Sequence, residues 1–512
     1  MSIRKNALVS VLALALLAAV SGAQSRPVPA APATDEQKIL EAMHRIQSGP
    51  LFDYVKELCT EKFGGRLTGT PEYDACAAWV AGLLKSWGVQ PAGDNGTYFQ
   101  KFPNPYTLVF KGGLLTMDIP VKNGTIKKSY RYEDEFIPGG TTDAGEVTAE
   151  VVYVGYGITA PELGYDDYAG VDVKGKIVLM DPEVPVSPAP NSLETFKKWR
   201  PYSFHQYKLE NAAAHGAKGL IYNYGPIGNP NNSFRPGFIY HHVGAAVVAD
   251  VFAGTGRTYA DVTARIRKEL KPQSFATGKT MTLKNLAERH PEGIGCNVVG
   301  VIPGSDPVLK EEVILIGGHL DHLGRLWELM PGANDNATAV AVGLGVAEAL
   351  AKCAVRPQRT VLFNFFGSEE QGVAGSDYYC EHPIYPLDKT LVFINMEGPG
   401  VGDKISASGG TNYPAFWSIV EDANRKFIHR TLSTGPASYP ARPRQDSARF
   451  FWKGVPSLTF GAYGKSVPYP NYHNTRDSLE LVTPEIMEDM AQLFFMTIME
   501  MNGRPQLNFR GN

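Results

Sequence analysis

Residues 360–376 read TVLFNFFGSEEQGVAGS. Thr360 to Phe366 is a short apolar run, rich in β-branched and aromatic side chains, and a glycine-punctuated stretch follows it. Such a run, bounded by turn residues, reads as a strand buried on both faces, and strands of that kind belong to sheets covered by helices on either side. Glu369 and Glu370 stand side by side where this strand leaves the core. On a solvated loop a pair of like charges needs no explanation. At the carboxyl end of a strand in an open α/β sheet it stands where ligands bind.

The neighbouring sequence decides between the two. Downstream of Cys296 the pattern alternates: apolar strands at 297–302, 312–317, 360–366, 391–395 and 457–460, with helices at 337–351 and 484–501. The expectation is an α/β fold, a mixed central sheet flanked by helices. Polar groups follow the strand ends. His319-Leu320-Asp321 follows the strand at 312–317, Asn334-Asp335-Asn336 occupies a Gly-containing loop before the helix at 337–351, Glu397 follows 391–395, and Tyr472-His473 follows the last strand. Singly, His319 or His473 would be an ordinary satisfied histidine, Asp335 a helix N-cap and Glu397 a loop acid. Their shared placement at one sheet edge is what those separate readings leave unexplained. Two imidazoles with three or four carboxylates suit two divalent metals such as zinc. A carboxylate shared between the ions would hold them ~3.5–4 Å apart, a spacing that clamps the reacting oxygens of a hydrolysis. Asp321, two residues past His319, is placed to orient its imidazole.

The rest of the chain bounds the function. A net charge of −3 in 512 residues offers nothing to nucleic acid or to an anionic membrane surface. Arg4 and Lys5 precede an apolar run from Ala7 to Val20 and the small residues Ser21-Gly22-Ala23. That pattern reads as a signal peptide over residues 1–23, with a retained N-terminal anchor as the lesser alternative; the run is too short for the ~20 apolar residues a membrane span needs. The expected product is exported, periplasmic or secreted, with no membrane span after cleavage. A Pro/Ala linker occupies 24–34, and helices are expected at 35–47 and 73–87, the second ending at Gly88. Between 105 and 286 the composition becomes β-rich, with strands expected at 151–157, 176–180 and 219–224 and a helix at 209–215. No acid pair there has catalytic spacing, and His241-His242 reads as a solvated loop pair, so this segment is expected to be an inserted domain without chemistry. Export would permit disulfides among the five cysteines, with Cys59–Cys76 and Cys353–Cys380 as local pairs; burial as reduced thiols is the equal alternative.

The segments HLDH, PGANDNATAV, FFGSEEQGVAGS, FINMEG and NYHNTRDSLEL, in that order, resemble the co-catalytic di-zinc aminopeptidase family, whose relatives include glutamate carboxypeptidase and the transferrin receptor. The likeness covers 39–100 and 296–501, and the stretch VGYGITAPELGYDDYAGVDVKGKIVLM resembles the protease-associated domain inserted in many members. The resemblance implies a zinc-exopeptidase fold with peptidase segments at 35–104 and 287–505 around an insert at 105–286, and peptide as substrate. It implies that His319 and Glu397 hold one zinc, Glu370 and His473 the other, and that Asp335 bridges them. Glu369 becomes the general base, Asp321 the orienting group, and Tyr472 a donor to the oxyanion. The implied activity is release of N-terminal residues; a carboxypeptidase holding its substrate through Arg442 or Arg444, a glutaminyl cyclase and an inactive receptor-like protein are the alternatives. Two positions depart from the family pattern. Glu397 stands where Asp is usual, and Gln445-Asp446-Ser447 where Ser-Asp-His is usual. Asn336-Ala337-Thr338 is formally a glycosylation sequon, read here as an accident of the metal motif.

Overall fold

The computed structural model describes residues 33–229, 233–437, 445–464 and 471–510. The expected leader at 1–23, nearly all of the expected linker, and Arg442 and Arg444 lie outside the described residues. Two large sheets organise the remainder. The first has nine strands, in the spatial order Gln90–Pro91, Ile294–Ile302, Thr360–Phe366, Val313–His319, Thr390–Met396, Ser457–Tyr463, Lys404–Ser408 and Leu432–Gly435, with Phe99–Pro103 also pairing Ile294–Ile302. Its four central strands, from Thr360–Phe366 to Ser457–Tyr463, run parallel, so their carboxyl ends share one edge. Register brings those ends level: His319 lies opposite Phe366, Gly317 opposite Asn395, and Met396 opposite Phe460.

Apolar content explains why these strands sit at the centre. Every residue of Val313–His319 and of Thr360–Phe366 is buried. On one face lie Thr338–Lys352, buried along nearly all of its length, and Pro484–Glu500, with Ser48–Leu58 and Pro71–Ser86. On the other, Ala374–Glu381 and Asp446–Trp452 cover Phe366 and Phe393 with Tyr379 and Phe450. The N-terminal reading of one helix at 35–47 becomes two, Asp35–His44 and Ser48–Leu58. Thr34 closes a capping box on the first, and extended Gln47 begins the second.

The second sheet has ten strands. Tyr106–Val121 and Phe275–His290 form its long antiparallel pair, followed by Gly145–Tyr153, Ile177–Met180, Gly219–Tyr222, Ile239–Val243 and Phe136–Pro138. Its far edge is a small hairpin, Arg325–Leu326 with Glu328–Leu329, contributed by the chain just after His319-Leu320-Asp321-His322. His241 and His242 correct the loop reading. They lie within Ile239–Val243, paired on one side with Gly219–Tyr222 and on the other with Phe136–Pro138, and both are buried. A strand with neighbours on both sides turns alternate side chains into two interiors, which a local polarity reading cannot register. All five cysteines are unpaired thiols, so neither local disulfide forms.

Candidate metal centre

Sequence places each group at the sheet edge, and loop geometry turns the groups inward. His319 is the last residue of its strand and is fully buried. Its Nδ1 donates to the backbone carbonyl of Asp321 at 3.0 Å, leaving Nε2 3.2 Å from Asp335 Oδ1 and 3.3 Å from Glu397 Oε2. His473 repeats the arrangement. Its Nδ1 donates to the carbonyl of Gly228 at 2.8 Å, and its Nε2 lies 3.2 Å from Asp335 Oδ2 and 3.0 Å from Glu370 Oε2. Asp335 thus offers one oxygen to each histidine.

The electrostatics are those of a site built around cations. Among the described residues, the ion pairs of Asp335, Glu370 and Glu397 are all with histidines, none with lysine or arginine. Burial would lower the pKa of His319 and His473, yet the carboxylates around them, led by Glu397 and Glu370 respectively, hold both well above the usual imidazole range. Against its own burial, Glu370 is drawn down to about 2, chiefly by His473, and Asp335 is held well below the carboxylate range by His319 and His473. Glu369 behaves oppositely: burial, outweighing the attraction of His319 and aided by the charges of Glu397 and Glu370, pushes it well above that range. Neighbouring carboxyls in one peptide are driven apart in acidity, the pattern by which paired acids acquire different tasks.

A metal fits this donor set. Each histidine commits its Nδ1 hydrogen to a carbonyl, which only accepts, so each Nε2 faces carboxylate oxygens with a lone pair unless it carries a second proton or meets a cation. Donor atoms of His319, Asp335 and Glu397, of His322, Asp335 and Glu370, and of His319, Glu369 and Glu370 lie within 4.8 Å of one another. Imidazole and carboxylate together match zinc and its divalent neighbours.

Other residues support this frame, and several carry no signal of their own in the sequence. Asp321 acts on His319 through its backbone; its carboxylate, 3.7 Å from His319 Nδ1, instead accepts from the amides of Glu369 at 3.1 Å and Glu370 at 3.3 Å. His322 brings its Nδ1 to 2.8 Å from Glu370 Oε1. Asp477 accepts from the amides of Asn334 and Asp335, both at 3.0 Å. Buried Arg66 donates to the carbonyls of Leu58, Leu320, Pro331 and Gly332, tying the His319 and Asp335 loops together. Asp446, which the sequence left without a role, is buried beside the centre and pushed up to about 7 by that burial. Ser368 and His473 hold positive φ, 61° and 58°, a region that non-glycine residues occupy chiefly where surroundings enforce it. Tyr472 stacks on His473, ring centroids 3.6 Å apart. Asn336 is fully buried, its amide donating to the carbonyl of Met396 at 2.9 Å, which agrees with reading its sequon as accidental.

Comparison with known proteins adds to this picture. The model of Peptidase family M28 matches residues 297–498, and that of the PA domain matches residues 147–249. Aminopeptidase YwaD of Bacillus subtilis is 26% identical over 367 residues, covering 67% of this chain and 67% of its own length. A vacuolar membrane protease of Clavispora lusitaniae is 28% identical over 184 residues, 36% of this chain, and the matched part spans only 17% of that protein. Among solved structures, the aminopeptidase from Aneurinibacillus sp. strain AM-1 superposes with a TM-score of 0.62 at 22% identity, over 94% of this chain and 98% of that one, which shows a shared fold. Residues 297–498 thus match peptidase family M28, and residues 147–249 match the PA domain.

Proposed function

We propose that the chain is an exported metallo-exopeptidase with two zinc ions, an aminopeptidase releasing N-terminal residues from peptides. The observation that carries this reading is the pair of histidines whose Nδ1 hydrogens are committed to carbonyls while their Nε2 atoms converge on opposite oxygens of Asp335. His319, Glu397 and one oxygen of Asp335 would hold one ion; His473, Glu370 and the other oxygen would hold the second. Zinc so bound supplies Lewis-acid chemistry, polarising a carbonyl and making water acidic enough to ionise near neutral pH.

The residues of the chain do the rest. Glu369, kept basic by its surroundings and partly open to the site, takes the proton of the attacking water and returns it to the departing amine. Tyr472, beside His473, donates its hydroxyl to the negative charge that develops on the scissile oxygen. The names of relatives such as the Bacillus aminopeptidase favour the amino end of the peptide. The peptidase segments are 35–104 and 287–505, around an insert at 105–286. Export rests on the leader at 1–23; among the described residues no helix is long and apolar enough to cross a membrane.

The test combines metal analysis with chromogenic aminoacyl and carboxyl-terminal substrates and with ammonia release from an N-terminal glutamine peptide. Two zinc ions per chain and hydrolysis of the aminoacyl substrates are expected. A protein that binds no zinc, or that acts only at carboxyl termini or only by releasing ammonia, overturns the reading.

A further inference from the structure

The insert reaches the metal centre. The Nδ1 of His473 is held from outside its own domain: it donates to Gly228 O at 2.8 Å, and the amide of Gly228 donates back to His473 O at 2.7 Å. Gly228 belongs to the segment that follows the strand Gly219–Tyr222 of the second sheet. That segment is anchored in turn. Gly225 N donates to Val243 O at 3.1 Å, and buried His242 donates from Nδ1 to Ile227 O at 2.7 Å. The imidazole of His242 is held in place by the rings of Tyr222, Tyr224 and Tyr240, with centroids 5.5–5.8 Å away. On its far side Gly228 presses on the loop after His322: a Cβ there would come within 2.6 Å of Leu326 and 2.7 Å of Leu323, both buried. A second clasp lies close by, where the amide and hydroxyl of Thr475 donate to Glu133 at 2.8 and 2.6 Å.

We infer that the inserted domain is a working part of the metal centre, with His242 and Gly228 as positioning residues that fix the ring of His473 toward Asp335 and Glu370. The inference rests on the metal reading above and extends it to residues outside the peptidase segments. A histidine ligand whose Nδ1 hydrogen has a fixed acceptor keeps its tautomer and its aim, and loss of such outer partners typically costs ~10–100-fold in metal affinity. His242 stays neutral for this task, its pKa pushed down to about 4 by burial.

The full chain is the material for the test, and zinc affinity by chelator competition is the readout, with the visible spectrum of the cobalt-substituted protein as a second. His242→Phe keeps the ring packing and removes the donor. His242→Asn restores a donor close to the position of Nδ1. The Phe variant is expected to bind one of its two ions ~10-fold more weakly, with a changed cobalt spectrum, and the Asn variant to resemble the parent. Parent-like affinity and spectrum in the Phe variant overturn the inference. So does equal weakening in both variants, because packing alone would then explain it. If His242→Phe does not fold, Gly228→Val decides, with the same selective weakening expected and parent-like binding contrary to it. A parent that binds no zinc defeats the metal reading itself; a parent with two ions and unaffected variants defeats only the role of the insert.

Discussion

Glu369 and Glu370 are adjacent in the chain and opposite in character, and their surroundings explain both facts. Glu370 lies between His473 and His322, 3.0 and 2.8 Å away, where its charge is welcome. Among the described residues Glu369 has no such ion pair, and it is pushed toward its neutral form by burial and like charge. Glu369→Gln keeps shape and removes the proposed base, so turnover should fall by ~10²–10⁴-fold while bound zinc stays at the parent level. Glu370→Gln should instead lose metal, since an amide oxygen is the poorer ligand, and excess zinc should partly restore it. Turnover and zinc content of each variant, with and without added metal, check the assignment; a Glu369→Gln protein that loses zinc would reverse it. Glu397→Ala should weaken one ion and spare the other, because Glu397 approaches only His319. Equal loss of both ions, or of neither, would take Glu397 out of that position. These groups could be singled out in the sequence because they are carboxylates within four residues of a strand end. His322 and Asp477 were not, because they act through another side chain's carboxylate and through backbone amides, contacts that leave no spacing pattern.

At the scale of elements, the long inner strands of the first sheet were legible to within three residues, since a buried strand is a continuous apolar run: 360–366 was expected and Thr360–Phe366 is found, whereas Gln90–Pro91, Phe99–Pro103, Lys404–Ser408 and Leu432–Gly435 were not expected. The loops between them were not legible, because long-range hydrogen bonds to their backbone set their shape. The loop of Asp335 shows this. Its amides at Asn334 and Asp335 are held by Asp477, 142 or more residues away in the chain, and Arg66 binds the carbonyls of Pro331 and Gly332 just before them. An Asp477→Ala substitution leaves two buried amides without an acceptor, each worth ~1–3 kcal/mol. Asp335 faces both histidines, so its loosening should lower the affinity for both ions together, unlike the single-ion loss expected for Glu397→Ala. Chelator titration distinguishes the two patterns. Full retention of both ions in a folded Asp477→Ala protein would show that the loop keeps its shape without that carboxylate.

At the scale of the molecule, two sheets with separate cores meet at the candidate metal centre, through the hairpin of Arg325–Leu326 with Glu328–Leu329 and through the pairing of Gly228 with His473. Composition marked the β-rich insert, but nothing in a glycine or in a buried histidine pair announces docking on a distant site. The interior of the insert also makes the protein sensitive to acid. His241, fully buried, bonds through Nε2 to Asn285 Oδ1 at 2.9 Å, stacks on Phe136 with centroids 4.9 Å apart, and has His242 beside it. Burial pushes its pKa down to about 4, from an ordinary value near 6.5. The unfolded chain therefore binds a proton that the folded chain refuses between pH 6.5 and 4. Stability is complete above that window and is lost as pH falls through it, by about 3 kcal/mol for this one group. His241→Gln keeps a donor for Asn285 and removes the titration. Urea unfolding at pH 7 and at pH 4 should show the parent losing about 3 kcal/mol more than the variant over that range. Equal losses in both proteins would mean that His241 takes up its proton in the folded state at little cost, and that the acid sensitivity over this range lies in its buried neighbour His242, also pushed down to about 4, instead.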